Sequence, residues 1–244
     1  DGVTPLWPEN WPAELLKEKR ESIGVENFST EYENEPLSDE ERIIRREWIE
    51  AAWYDSEARP PLHEMRVFGG VDPAAGKHDR TAIVTVGVDR QGRMWELDAW
   101  ARTCSELETV RQLIEKHRLF RYELIAWEEV SFSAIYANYV IDMAAQAGVH
   151  LPIKKVKAGT ESKAARIRGI SPLLENGVLR LRSRGSAELI EELTTFPKGR
   201  FDDLCDALAY SVGVASRGPG APLVMPAARR LASPITKALR GFRK

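Results

Sequence analysis

The chain has little of what staples a protein, threads it through a membrane or arms it with a nucleophile. Its 244 residues include 2 cysteines, Cys104 and Cys205. They form no CxxC pair and no metal-ligand spacing, which sets aside a disulfide framework and a zinc ribbon and makes a reduced, cytosolic setting the default. No apolar run approaches the roughly 18 residues of a membrane span, so no membrane partner is expected. The opening "DGVTPLWPENWPAELL" lacks the basic start and apolar centre of a signal peptide. The 4 histidines, His63, His78, His117 and His150, are scattered, and no Ser/His/Asp or Cys/His set emerges for covalent catalysis.

Acids are missing from one stretch only. From Arg217 onward the titratable residues are Arg217, Arg229, Arg230, Lys237, Arg240, Arg243 and Lys244, although the whole chain carries a formal net charge of −2. Residues 217–244 therefore read as a basic, Pro/Gly/Ala-rich flexible tail. It could touch nucleic acid or an acidic partner, or be a plain disordered terminus. The first residue, Asp1, suggests a fragment of something longer.

Residues 1–62 read as a lead-in punctuated by Trp and Pro. "PAELLKEKRESIG" suggests a short amphipathic helix stopped at Gly24. "LSDEERIIRREWIEAAWY" suggests a second, capped by Ser38, with Ile43, Ile44, Trp48 and Ile49 near helical spacing. "EARPPLHE" ends it. The main domain, residues 63–216, opens with strands at "MRVFGGVD", "TAIVTVGVD" and "RMWELDAWA". A helix capped by Ser105 follows, with Leu107, Val110, Leu113 and Ile114 on one face. Strand "YELIAWEEV", helix "SAIYANYVIDMAAQAG", strand "LPIKKVKA", helical "ESKAARIRGISPLLENG", strand "VLRLR" and helices at "SAELIEELTTF" and "DDLCDALAYSVGVAS" complete it. This order predicts an α/β fold, a central mixed sheet flanked by helices whose first strands meander and whose later strands run parallel.

What the chain does have is carboxylates at element ends. "GGVDPAAGKHDRTAIVTVGVD" is not a phosphate loop: five residues separate Gly70 from Gly76, His78 stands where Ser or Thr would hold magnesium, and a strand rather than a helix follows. Asp72 is the group of interest there. It closes an apolar strand before Pro73, a position where Asp also serves as an ordinary turn former. In "ELIAWEEV" a second apolar run ends in Glu128 and Glu129, which point to opposite faces, so one of them can share the face of Asp72. In "GRFDDLCDALAY" Asp202, Asp203 and Asp206 open a helix. Capping accounts for one or two acids, but a third on the same face adds repulsion that a bound cation would relieve. Hard oxygen ligands of this kind suit Mg²⁺ or Mn²⁺. Two such ions roughly 4 Å apart support phosphodiester hydrolysis. The dense basic stretch, Lys154, Lys155, Lys157, Lys163, Arg166 and Arg168 with Arg180, Arg182 and Arg184, could meet DNA phosphates or be a solvated face.

These motifs together resemble the C-terminal nuclease domain of tailed-bacteriophage terminase large subunits. The likeness runs from residue 1 to about 215, through "LWPENWPAELLKEKRESIGVENFSTEYENEPL", the Asp72 hairpin, "IAWEEVSFSAIYANYV", "KAGTESKAARIRGISPLLENGVLRL" and "KGRFDDLCDALAY". The resemblance implies an RNase H-like fold and an endonuclease that cuts concatemeric double-stranded DNA with two Mg²⁺ or Mn²⁺ ions. It implies Asp72, Glu128 and Asp203 as core ligands, with Asp206 and Asp202 supporting or alternative. It implies Lys163 and Arg166 as phosphate contacts, to which the basic stretch adds Lys155 and Lys157 as candidate DNA contacts. Its implied partners are an ATPase domain of the same full-length chain, absent here, the phage portal and the small terminase subunit, in the host cell cytoplasm. Phe201 departs from the family, whose members often carry His or another polar residue before the acid pair. No Walker A motif is present, so ATP-driven translocation is not carried over. The alternatives are an ATP-binding actin-like or sugar-kinase-type fold and a non-catalytic DNA-binding docking module.

Overall fold

The computed structural model describes residues 12, 14–17, 42–74, 76, 79–129, 133–157 and 162–216. Its strands are β1 (Trp53–Tyr54), β2 (Arg66–Asp72), β3 (Thr81–Val88), β4 (Met94–Arg102), β5 (Leu124–Glu129), β6 (Ile153–Lys157) and β7 (Leu179–Arg182). Its helices are α1 (Arg46–Ala52), α2 (Glu106–Phe120), α3 (Ser133–Gln146), α4 (Lys163–Arg168), α5 (Ser171–Glu175), α6 (Ala187–Thr195) and α7 (Asp203–Ala215). The strands form one sheet in the order β1-β7-β4-β3-β2-β5-β6. β3 lies antiparallel to β2 and β4, and the other pairs are parallel. This is the mixed sheet flanked by helices that the sequence predicts, with the meander at β2–β4 and helical crossovers thereafter.

Each face of the sheet has its own core. On one side Phe68, Ala126, Leu204, Leu208 and the α4–α6 residues Ile167, Leu174 and Leu189 cluster. On the other Val71, Ile125 and Trp127 pack with Val110 and Leu113 of α2 and Val140 of α3. Ser105 caps α2 by accepting from the backbone N–H of Glu108 at 3.2 Å. The buried stripe of that helix is Thr109, Val110, Leu113, Ile114 and Lys116, whereas Leu107 is exposed. At 100° per residue Leu107 falls on the flank of that stripe rather than at its centre.

The lead-in departs from expectation at both ends of its helix: residues 42–45 are not helical, so α1 starts at Arg46 and leaves Ile43 and Ile44 ahead of it. Instead of a helix through residue 54, α1 ends at Ala52 and Trp53–Tyr54 pair in parallel with Leu181 and Arg182 of β7. The Tyr54 hydroxyl donates to the Glu96 carbonyl, and its ring meets Trp95 edge-on at 5.0 Å. Aromatic residues with cross-strand partners favour the extended form over another helical turn. Ile44, Ile49 and Ala52 are buried in the α7-side core, so this part of the lead-in is built into the fold. Ser38, Gly24 and most of the first expected helix lie outside the described residues, apart from a helical stretch at 14–17.

Helix α7 is the central element of its layer and crosses β2 at Gly70. A Cβ there would fall 1.9 Å from the Ala207 carbonyl oxygen and 2.5 Å from the Ser211 nitrogen. The Ser211 hydroxyl also donates to the Phe68 carbonyl at 3.2 Å. Only glycine lets helix backbone and strand backbone approach so closely. Gly70→Ala is expected to destabilise the domain by about 3 kcal/mol or more, because backbone on both sides must shift. Gly213, where an added Cβ meets nothing within 4 Å, gives the opposite outcome. Gly213→Ala should stabilise by about 0.5–1 kcal/mol through helix propensity, and thermal melts of both variants check the pair.

Candidate functional site

The parallel β2–β5 register pairs Val71 with Trp127, so the next residues along, Asp72 and Glu128, stand side by side at the carboxyl ends of neighbouring strands. Ligand sites of open α/β sheets favour this edge. Side chains alternate, and Ala126, with Leu124, packs on the α7 side while Ile125 and Trp127 pack on the other. Glu128 therefore shares the face of Asp72, and Glu129 points away. Burial first, then the adjacent Glu128 carboxyl and the charge of Asp206, raise the Asp72 pKa well above the ordinary carboxylate range.

Helix α7 brings the third acid. Asp206 is 3% exposed, and burial raises its pKa despite two cationic partners from α4. Lys163 Nζ lies 2.5 Å from Asp206 Oδ2 and 2.6 Å from Asp202 Oδ1. Arg166 Nη2 donates to Asp206 Oδ1 at 2.9 Å and lies 3.9 Å from Glu128 Oε1. Burial opposes the charge of Lys163 and Arg166, but their hydrogen bonds to these acids raise both pKa values above ordinary. The Nε of Arg166 is buried with no hydrogen-bond partner among the described residues.

Asp203 goes elsewhere. Its Oδ2 accepts from Arg80 Nε at 3.0 Å, and Arg80 also pairs with Glu188 and Glu192 and stacks 3.9 Å from the Phe201 ring centroid. The structure thus joins Asp72, Glu128 and Asp206, with Asp202 at the rim through Lys163, and pairs Asp203 with Arg80 instead. Lys163 and Arg166 sit among the acids rather than on an open phosphate-binding face. Lys155 pairs in register with Trp127 and donates to Asn138 of α3 at 2.7 Å. It and Lys157, two residues on, therefore stand on the opposite face of the sheet from the carboxylates. The glycine-loop residues Lys77 and His78 lie outside the described residues.

Three contributors are not legible as functional in the sequence. Tyr210 donates its hydroxyl to Glu128 Oε1 at 2.6 Å. Its spacing of four from Asp206, one turn along the helix, is the signal that could have found it. Arg80 and Glu192 resemble ordinary loop and helix-surface charges.

Among the described residues no three Asp, Glu, His or Cys side chains form a ready ligand set for a metal. The basic side chains account for this, since both Asp206 oxygens face cations. The donor chemistry nevertheless fits a hard divalent cation. Asp72 and Glu128 are oxygen donors on neighbouring strand ends, a pairing of like charges that a proton or a hard cation relieves.

Comparison with known proteins gives the context. The model of the terminase RNaseH-like domain matches residues 69–212. The large terminase of bacteriophage HK97 superposes with a TM-score of 0.56 at 17% identity, covering 71% of this chain and 43% of that one. This chain thus spans less than half of that relative. A lysine-to-alanine mutant of the nuclease domain of the large terminase subunit gp2 of bacterial virus Sf6, with manganese, superposes with a TM-score of 0.50 at 13% identity, covering 69% of this chain and 97% of that one. At such identities the superpositions show the fold, which is RNase H-like. No protein of curated function matches the sequence. The family model alone covers more than half of the chain, which belongs to the terminase RNase H-like domain family.

Proposed function

We propose that this domain is a divalent-metal-dependent endonuclease that cuts concatemeric double-stranded viral DNA during genome packaging. The observation that carries this reading is the meeting of Asp72, Glu128 and Asp206, from two strands and a helix, at one edge of the sheet. Membership of the terminase RNase H-like family supports it, as does the Sf6 relative, described as a nuclease domain with manganese. Asp72, Glu128 and Asp206 would hold two Mg²⁺ or Mn²⁺ ions, with Asp202 and Asp203 as further oxygen donors nearby. Bound there, such ions supply an activated water at neutral pH and neutralise charge on the scissile phosphodiester.

The chain's own side chains prepare that site. Tyr210 fixes the orientation of Glu128 through its hydroxyl, as outer hydrogen-bond donors orient carboxylate ligands. Lys163 and Arg166 neutralise Asp206 in this structure and are placed to turn to the phosphate oxygens of a bound strand. Contacts of this type give little base selectivity, and binding through them weakens steeply with salt. The ATPase domain of a longer chain, the portal and the small terminase subunit would be the partners, in the cytoplasm of the infected host.

With Mn²⁺ or Mg²⁺ the protein is expected to nick and linearise plasmid DNA, and EDTA to stop it. Asp72→Asn and Asp206→Asn should each lower the rate by about 100-fold or more, while Asp203→Asn, whose carboxylate Arg80 already occupies, should lower it by about tenfold or less. Undiminished cutting by folded Asp72→Asn and Asp206→Asn variants would leave a non-catalytic docking module as the better account.

The raised pKa of Asp72 gives a second expectation. The folded state holds a proton that the unfolded chain releases. Its stabilisation is fully present below the ordinary carboxylate pKa and is lost as pH rises through the raised value. The metal-free protein should therefore melt lower at pH 8 than at pH 5 through this group. Asp72→Asn should flatten that slope, raising the pH 8 midpoint by a few degrees, about 2–4 °C per kcal/mol recovered. Mn²⁺ should raise the wild-type midpoint at pH 8 and not that of the variant.

A further inference from the structure

Helix α7 starts without a cap of its own. The Asp202 side chain makes no capping hydrogen bond, because its Oδ1 is taken by Lys163 at 2.6 Å. The orphan amides at the helix start are satisfied from another helix. Glu192 of α6, 4% exposed, accepts from the backbone N–H of Leu204 at 2.8 Å and of Cys205 at 3.3 Å through Oε2. Its other oxygen is held by Arg80, whose Nε holds Asp203. Leu204 and Cys205 lie between Asp203 and Asp206, so the contact fixes the turn that aims both acids.

We infer that Glu192, clamped by Arg80, is a positioning residue for the carboxylate site, acting as an external cap that sets where α7 begins and hence where Asp206 stands against Asp72 and Glu128. A buried carboxylate beside Asp203 is a poor choice for stability alone, since burial raises its pKa in spite of Arg80. A cap supplied from α6 leaves Asp202 for Lys163, so the helix start and the site's charge balance are satisfied by different residues. Outer partners of metal ligands typically change metal affinity by 10–100-fold when removed.

This inference rests on the metal-site reading, and its test separates the two. Mn²⁺ binding is followed by calorimetry on wild type, Glu192→Ala and Glu192→Gln, with hydrogen exchange of the Leu204 and Cys205 amides in the same metal-free proteins. Glu192→Ala should bind Mn²⁺ about tenfold more weakly and expose both amides to faster exchange. Glu192→Gln, which keeps an acceptor oxygen, should recover most of both. A purely structural role predicts a lower melting temperature with unchanged Mn²⁺ affinity, and that result overturns the inference. If Glu192→Ala does not fold, Arg80→Met, which frees Glu192 without removing it, should still weaken Mn²⁺ binding, and unchanged affinity there counts against the inference equally. If wild type binds no Mn²⁺ at all, the metal reading fails. The amide exchange then decides the cap by itself: unchanged protection in Glu192→Gln and Glu192→Ala alike would sink it.

Discussion

Everything at the carboxylate edge depends on one backbone contact, the crossing of α7 over β2 at Gly70. A helix normally rides on a sheet at side-chain distance, about 10 Å between axes and strands. Here the absence of a Cβ lets the Ala207 carbonyl approach the strand itself. The gain is positional. The first turn of α7 drops to the level of the strand ends, so Asp206 reaches Asp72 and Glu128 although the helix is the last element among the described residues.

The second constraint is charge. Four acidic residues, Asp72, Glu128, Asp202 and Asp206, gather at the start of a helix, and Lys163 and Arg166 are inserted among them. A helix N-terminus favours negative charge by well under 1 kcal/mol per group when exposed, too little to hold buried carboxylates together. The cations and the raised pKa of Asp72 do that instead. In this structure the acids at that edge are thus balanced by basic side chains from α4.

Much of this was legible because the relevant signals are local. Apolar, β-branched runs mark β2, β3 and β5, Ser105 marks the start of α2, and alternation along a strand places Glu128 and Glu129 on opposite faces. The positions of the acids at element ends could be read from the chain, and so could the mixed sheet. What could not be read is set by contacts distant in sequence. Whether Asp203 or Asp206 faces Asp72 depends on the rotation of α7, which Gly70, the Phe68 carbonyl that Ser211 meets, and Glu192 settle from other elements. Lys163 and Arg166 read as phosphate contacts because a run of basic residues looks the same whether it faces solvent or acids. Lys155 belongs to the other face because β6 continues the sheet, a register that spacing along the chain does not reveal. Trp53–Tyr54 became a strand because β7 offered hydrogen bonds that a peptide alone would not have.

That short strand reaches beyond its two residues. β1 forms one border of the sheet, and the chain that enters the domain does so through it, with Ile44, Ile49 and Ala52 sealing the apolar layer beneath. Residues 44–54 are thus stitched to the sheet rather than hung from a swivel. Mechanical load reaching them would be borne by β7 and the buried aliphatics beside it, which ties this stretch to the sheet that carries the acids.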